Sequence, residues 1–235
     1  MKGNVWESVK KWFYEKKCYH IFPLLIYMTL YLFWFHLVEM IPRSWYFSIT
    51  MPFDYLIPFC EYFVIFYLSW FGFVAAGLVF MFFYDRDSFD QLQTMLMIGM
   101  TLFLVLSTIL PNRQPLRLLE MPRDNIFTRM IIVLWRTDTP TNVWPSIHVY
   151  NSAVIAIAFF KSKKKKLQTL PVRLLIGIWS AGIIASTAFV KQHSLFDIIS
   201  ALALTVIVYI VVYTYGKVYH CKKWDAMWEA KTKGA

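Results

Sequence analysis

Two ionisable side chains interrupt an otherwise apolar C-terminal half: His193 and Asp197, in the stretch S-T-A-F-V-K-Q-H-S-L-F-D at residues 186–197. If Ser194 opens a helix, this spacing puts the carboxylate one turn from the imidazole on the same face. There it accepts the Nδ1 proton and leaves Nε2 free to attack. A second cluster, N-V-W-P-S-I-H at 142–148, supplies a partner. A nucleophilic histidine needs a proton donor for the leaving oxygen, and hydroxyl, amide and cationic donors for the group it receives. The two stretches together contain all of these, and they point to phosphate chemistry at a membrane surface.

The rest of the chain must position them. Of its 235 residues 58% are hydrophobic and 19% aromatic, and several apolar runs reach the roughly 20 residues that cross a bilayer. This composition predicts an all-α integral membrane protein. The net charge of +10 does not indicate a nucleic-acid partner, because the basic residues sit in short segments flanking apolar runs rather than on one face. The lipid bilayer is the partner they fit. Cys18, Cys60 and Cys221 are widely separated and form neither a metal-ligand nor a disulfide pattern. The first apolar run follows an aromatic and basic stretch without a small-residue cleavage site, so no cleavable signal peptide is expected.

Residues 1–18 mix Trp6, Trp12, Phe13 and Tyr14 with Lys10, Lys11, Lys16 and Lys17, as in a helix lying among lipid headgroups; the alternative is a disordered basic tail. Six spans are expected at about 19–40, 55–84, 92–110, 146–160, 170–189 and 195–215, within one bundle over 19–216. Pro58 either kinks the second span or marks its true first turn. A basic tail, 217–235, follows. The lysine run at 161–166 predicts a cytoplasmic loop. With six spans, the basic groups at Lys10–Lys17 and at Lys217, Lys222 and Lys223 fall on the same side, which puts both termini inside. The loop 111–145 and the turn with Lys191 and His193 then face outward, although that loop carries Arg113, Arg117, Arg123, Arg129 and Arg136. Arginines on that side fit an anionic ligand; the alternative is pairing with Glu120, Asp124 and Asp138 or with headgroups.

On this topology the fourth and sixth spans both begin at the outer face, with their chemical residues in the first turn. Pro145 suits a first helical position, Ser146 offers a hydroxyl beside free amides, and His148 follows closely, so the helix end can receive an anion. Arg117 and Lys191 would stabilise the charge of a transferring phosphoryl group without a metal, and no carboxylate cluster for magnesium is evident. No cofactor is expected. Each residue also has a plainer reading: His20, His36 and His220 as interfacial anchors, Asp197 as a carboxylate complementing a helix dipole, Lys191 as a lysine snorkelling to headgroups.

Pro145-Ser146-Ile147-His148 and the run from Ser186 through His193 to Asp197 resemble the second and third motifs of the type 2 phosphatidic acid phosphatase (PAP2) superfamily. The third motif is S-R-x5-H-x3-D; Ser186, His193 and Asp197 stand at its intervals, with Thr187 in place of the arginine and Lys191 as the substitute charge. The first motif, K-x6-R-P, is matched more loosely: Arg117 is kept, while Leu110 and Leu118 replace the lysine and proline. The longer pattern from Arg123-Asp-Asn-Ile-Phe-Thr128 and Asp138 to His148 resembles a bacterial branch whose third motif reads S-T-x-F-x-K-Q-H. The resemblance covers about 111–215. It implies a six-helix enzyme in which His193 becomes a phosphohistidine, Asp197 orients it and His148 protonates the leaving group. Arg117, Ser146, Ser186 and Lys191 would hold the phosphate, joined by Arg123 from the longer pattern. The implied activity is a metal-independent phosphatase acting on a phospholipid or polyprenyl phosphate at the outer leaflet. The alternatives are a phosphotransferase of sphingolipid-synthase type and, further off, a non-enzymatic transporter.

Overall fold

The computed structural model describes residues 18–41, 43–215 and Ala230. The expected headgroup helix at 1–18, but for Cys18, and the expected basic tail at 217–235, but for Ala230, lie outside the described residues. So do Lys10–Lys17, Lys217, His220, Cys221, Lys222 and Lys223.

Lipid offers no partner to a backbone N–H or C=O, so apolar runs of this length close their hydrogen bonds internally as helices. Seven α-helices result among the described residues: α1 (Phe22–Met40), α2 (Val64–Tyr84), α3 (Arg86–Ile109), α4 (Ile126–Thr137), α5 (Ile147–Lys161), α6 (Leu170–Phe189) and α7 (Leu195–Tyr209). Five helical stretches are long and apolar enough to cross a membrane: Tyr19–Met40, Glu61–Tyr84, Arg86–Ile109, Leu170–Phe189 and Leu195–Thr214. The protein is therefore an all-α integral membrane protein. The remaining expected span, the fourth, is α5, which has only 15 residues. It occupies the middle of the bundle, packed on α2, α3, α6 and α7, while α1 lies against α3. Neighbours rather than lipid thus cover the polar Asn151 and Ser152 of α5, both buried. The α3–α5 approach needs Gly99, since a Cβ there would lie 2.1 Å from the Tyr150 ring, whose hydroxyl donates to the Met95 carbonyl at 2.6 Å. Large apolar side chains on the outward faces, such as Ile26 and Phe33 of α1 and Ile178 of α6, remain exposed, as a lipid-facing surface requires.

The observed boundaries correct the sequence reading at three places. The second span starts at Glu61, not near Tyr55: Pro52–Tyr55 forms a separate 3₁₀ turn, and a second one, Glu61–Phe63, leads into α2. Pro58 in between has no N–H to give a helix. The third span starts at Arg86 rather than Leu92, because Asp85 caps it, accepting from the Ser88 amide and hydroxyl, and is itself tied to Ser162. Finally, the loop expected at 111–145 contains α4, begun by Asn125, whose side chain accepts from the amides of Phe127 and Thr128. His20 is likewise no surface anchor: it is buried with Nδ1 2.9 Å from Asp90 Oδ2.

The helices alternate in direction, so the segments 41–61, 110–146 and 190–194 gather at one end of the bundle and the lysine run at 161–166 falls at the other. At the first end, two short parallel strands, β1 (Phe47–Ser48) and β2 (Asn112–Arg113), join distant loops. Asn112 then accepts from the amides of Val143 and Trp144 through its side-chain oxygen, at 2.9 and 3.0 Å, fixing the approach to α5.

Candidate active site

The turn between α6 and α7 is built around one carbonyl. Thr187 O accepts from the amides of both Gln192 and His193 at 3.0 Å, which folds the chain back sharply after α6, with Lys191 at φ 58°. Ser194 then caps α7, and its own amide donates to Asp197 Oδ2 at 3.0 Å in a reciprocal capping box. The same oxygen stands 3.2 Å from His193 Nδ1. A carboxylate acceptor fixes Nδ1 as the protonated nitrogen and leaves the lone pair on Nε2. His193 is 5% exposed and Asp197 fully buried.

The start of α5 brings in the second histidine. Ser146 caps the helix, accepting from the Val149 amide at 3.4 Å, and so places His148 in the first turn. Its ring centroid lies 5.5 Å from that of His193. Tyr67 of α2 stacks on it at a centroid separation of 4.5 Å, and Trp70 of α2 meets it tilted at 4.3 Å. His148 Nδ1 is buried and has no hydrogen-bond partner among the described residues.

Beside the pair stands a cation. Arg117 donates to the carbonyls of Trp135 and Asp138 and to Gln192 Oε1, each at 2.7 Å. Gln192 also donates to Asp138 Oδ2 at 3.2 Å, and Tyr67 reaches that oxygen with its hydroxyl at 3.5 Å. Burial raises the Asp138 carboxyl above its ordinary range, opposed by the charges of His193 and Arg117. Burial also lowers the Arg117 guanidinium from a value so high that it stays charged at neutral pH, with Asp138 and Tyr67 opposing. Arg117 is thus a partly buried cation bonded to Gln192, the residue next to His193.

Of the residues expected at the site, His193, His148 and Asp197 come together at the converging N-termini of α5 and α7, with Ser146 capping one and Arg117 alongside. Others have different partners. Ser186 donates to the Ile183 carbonyl at 2.6 Å within its own helix. Arg123 pairs with Glu61 at 3.0 Å, where Asn125 also donates. Lys191, expected at the phosphate as the charge missing from Thr187, gives its ammonium to the carbonyls of Asp54 and Ile57 at 2.9 and 2.6 Å. Among the other arginines of that loop, Arg129 pairs with Asp124 at 3.0 Å on the surface, as the plainer reading has it.

The sequence reading missed Tyr67, Trp70, Asp54 and Gln114, and gave Gln192 and Asp138 no place in the site. Tyr67 and Trp70 are spaced as one helix face, but in an apolar span nothing separates such a pair from a packing stripe. Gln192 and Asp138 did carry a signal, since both lie inside the quoted motif pattern. Among the described residues, no group of three or more His, Cys, Asp and Glu side chains is placed to hold a metal ion.

The model of the PAP2 superfamily matches residues 122–219. That stretch contains His148, His193 and Asp197 and leaves Arg117, Tyr67 and Trp70 outside. No curated protein and no solved structure matches the chain.

Proposed function

From a chain whose residues 122–219 match the model of the PAP2 superfamily, we propose a membrane lipid phosphate phosphatase. It hydrolyses a phosphomonoester or diphosphate of a phosphatidate-like or polyprenyl lipid through a phosphohistidine. The observation that carries the reading is the pairing of His193 Nδ1 with Asp197 at 3.2 Å while the His148 ring stands 5.5 Å away. The family match supports phosphatase-type chemistry in general; the lipid and the covalent intermediate go beyond that match.

In the first step His193 Nε2 attacks phosphorus, an N–P bond forms, and the P–O bond to the lipid breaks as His148 gives its proton to the departing oxygen. In the second step His148, now a base, takes a proton from water. The water oxygen bonds to phosphorus, the N–P bond breaks, and inorganic phosphate leaves. Asp197 keeps His193 in the reactive tautomer and stabilises the positive charge the ring gains. Arg117 and the free amides at the start of α5 offset the phosphoryl charge. Because the lysine run at 161–166 lies at the opposite end of the bundle, the proposal puts the site at the outer face and that run in the cytoplasm. Labelling by an impermeant reagent at a cysteine introduced at position 164, but not at position 119, in intact cells would reverse this orientation.

The deciding experiment is a panel of lipid phosphates given to the purified protein in detergent micelles, scoring both free phosphate and new phospholipid, with acid-labile phosphoprotein trapped by rapid quenching. Phosphate release with a trapped phosphohistidine is expected. New phospholipid in place of free phosphate would make the protein a phosphotransferase, and neither product would overturn the reading.

A further inference from the structure

The turn carrying His193 is held by a segment 137 residues earlier in the chain. Asp54, in the Pro52–Tyr55 turn, is buried and uses both carboxylate oxygens. One accepts from the Met51 amide and the other crosses to the Leu195 amide at the start of α7, each at 2.6 Å. Two carbonyls of the same segment, at Asp54 and Ile57, accept the Lys191 ammonium. From another side Gln114, also buried, donates to the carbonyls of Lys191 and Gln192 at 3.2 and 2.9 Å.

The choice of residue at 191 is informative. Its φ of 58° lies in the left-handed region, where glycine is at ease and a residue with a Cβ is strained. A lysine stands there, only 6% exposed, against the preference of its backbone. What it adds over glycine is the ammonium, which makes charge-assisted hydrogen bonds to two carbonyls of a distant loop.

We propose that Lys191 is a positioning residue, acting with Asp54: the pair locks the 190–195 turn to the 54–57 segment and so holds the His193 imidazole in line for attack on phosphorus. This rests on His193 being the nucleophile, as proposed above, and it gives Lys191 a different task from replacing the arginine absent at Thr187. Alignment is where such a lock acts, since a misplacement of about 1 Å at a reacting atom lowers the rate on the order of a hundredfold.

The test compares Lys191→Met, Lys191→Arg and Asp54→Asn in the full-length protein, with the wild type alongside. Lys191→Met should lower kcat by about ten- to a thousandfold while KM and the inhibition constant of inorganic phosphate stay within about twofold, and Lys191→Arg should recover part of the rate. Amide hydrogen exchange across 189–195 should quicken by about tenfold or more in Lys191→Met, and by less in Asp54→Asn. A kcat within about twofold of wild type overturns the proposal, and so does unchanged exchange in the turn. Phosphate inhibition weakened by about tenfold or more would place the ammonium on the phosphate and overturn it equally. Should the wild type release no phosphate from any lipid, the functional reading falls, and the exchange measurement still decides whether Lys191 holds the turn. If Lys191→Met does not fold, Asp54→Asn decides by the same readouts.

Discussion

The two histidines of the site are held in opposite ways. His193 is braced by polar groups: Asp197 on its Nδ1, Thr187 on its amide, and a turn tied down by Gln114, Asp54 and Lys191. His148 is braced by aromatic rings, Tyr67 stacked on it and Trp70 tilted against it, with Nδ1 unpartnered among the described residues. The difference follows the tasks proposed for them. A nucleophile must present one lone pair in one direction, and hydrogen bonds fix both its tautomer and its heading. An acid that becomes a base must gain and lose a proton within each cycle. Aromatic stacking fixes the plane of its ring without committing either nitrogen to a partner.

The sharpest way to break the comparison is to remove each ring in turn. His193→Ala should abolish trapped phosphoenzyme and lower turnover by several orders of magnitude, roughly 10⁴-fold or more, for any leaving group. His148→Ala should slow the first-turnover release of the leaving group by about 10²- to 10⁴-fold on an alkyl lipid phosphate and far less on an alkyl-chain aryl phosphate, whose leaving oxygen needs no proton. Equal losses in that first step on the two substrates would show that His148 does not act as the acid. Asp197→Asn comes next. It should lower kcat by about a hundredfold or more while the protein still folds, because an amide accepts less strongly at Nδ1 and leaves the developing imidazolium without its counter-charge. Retention of more than about half the wild-type rate would sever the tie between bracing and nucleophilicity. The smallest effect belongs to Tyr67→Phe, which keeps the ring over His148 and removes only the long contact to Asp138; kcat within about threefold of wild type is expected. A larger loss would mean that the hydroxyl, rather than the ring, is what His148 requires.

The bundle and the pairing of His193 with Asp197 are legible in the sequence for one physical reason: both are written in short-range patterns. Apolar runs of membrane length announce helices, and His193 with Asp197 shares a single turn. What escaped were contacts made across the fold. The Tyr55 to Cys60 stretch is apolar enough to pass for helix; besides Pro58, the distant Leu195 amide on Asp54 and the Lys191 ammonium on Ile57 tie it down in another shape. The short helix Ile126–Thr137 was hidden in an arginine-rich loop, although Asn125 and Thr128 spell its capping box. Lys191 reads as a free cation beside a phosphate site until the carbonyls of Asp54 and Ile57 are placed next to it. Arg123 reads the same way until Glu61 is.

The length of the helix Ile147–Lys161 bears on the depth at which the proposed chemistry would occur. Its 15 residues rise about 22 Å, against the roughly 30 Å of a hydrocarbon slab. With Lys161 placed at the aqueous boundary, Ser146 and His148 at the other end would stop short of the opposite surface. In the proposed reaction a lipid phosphate that met them would sink below the plane of its neighbours' headgroups, while its chains stayed in the oil they already occupy. On that proposal substrate enters sideways, and the scarce reactant is water.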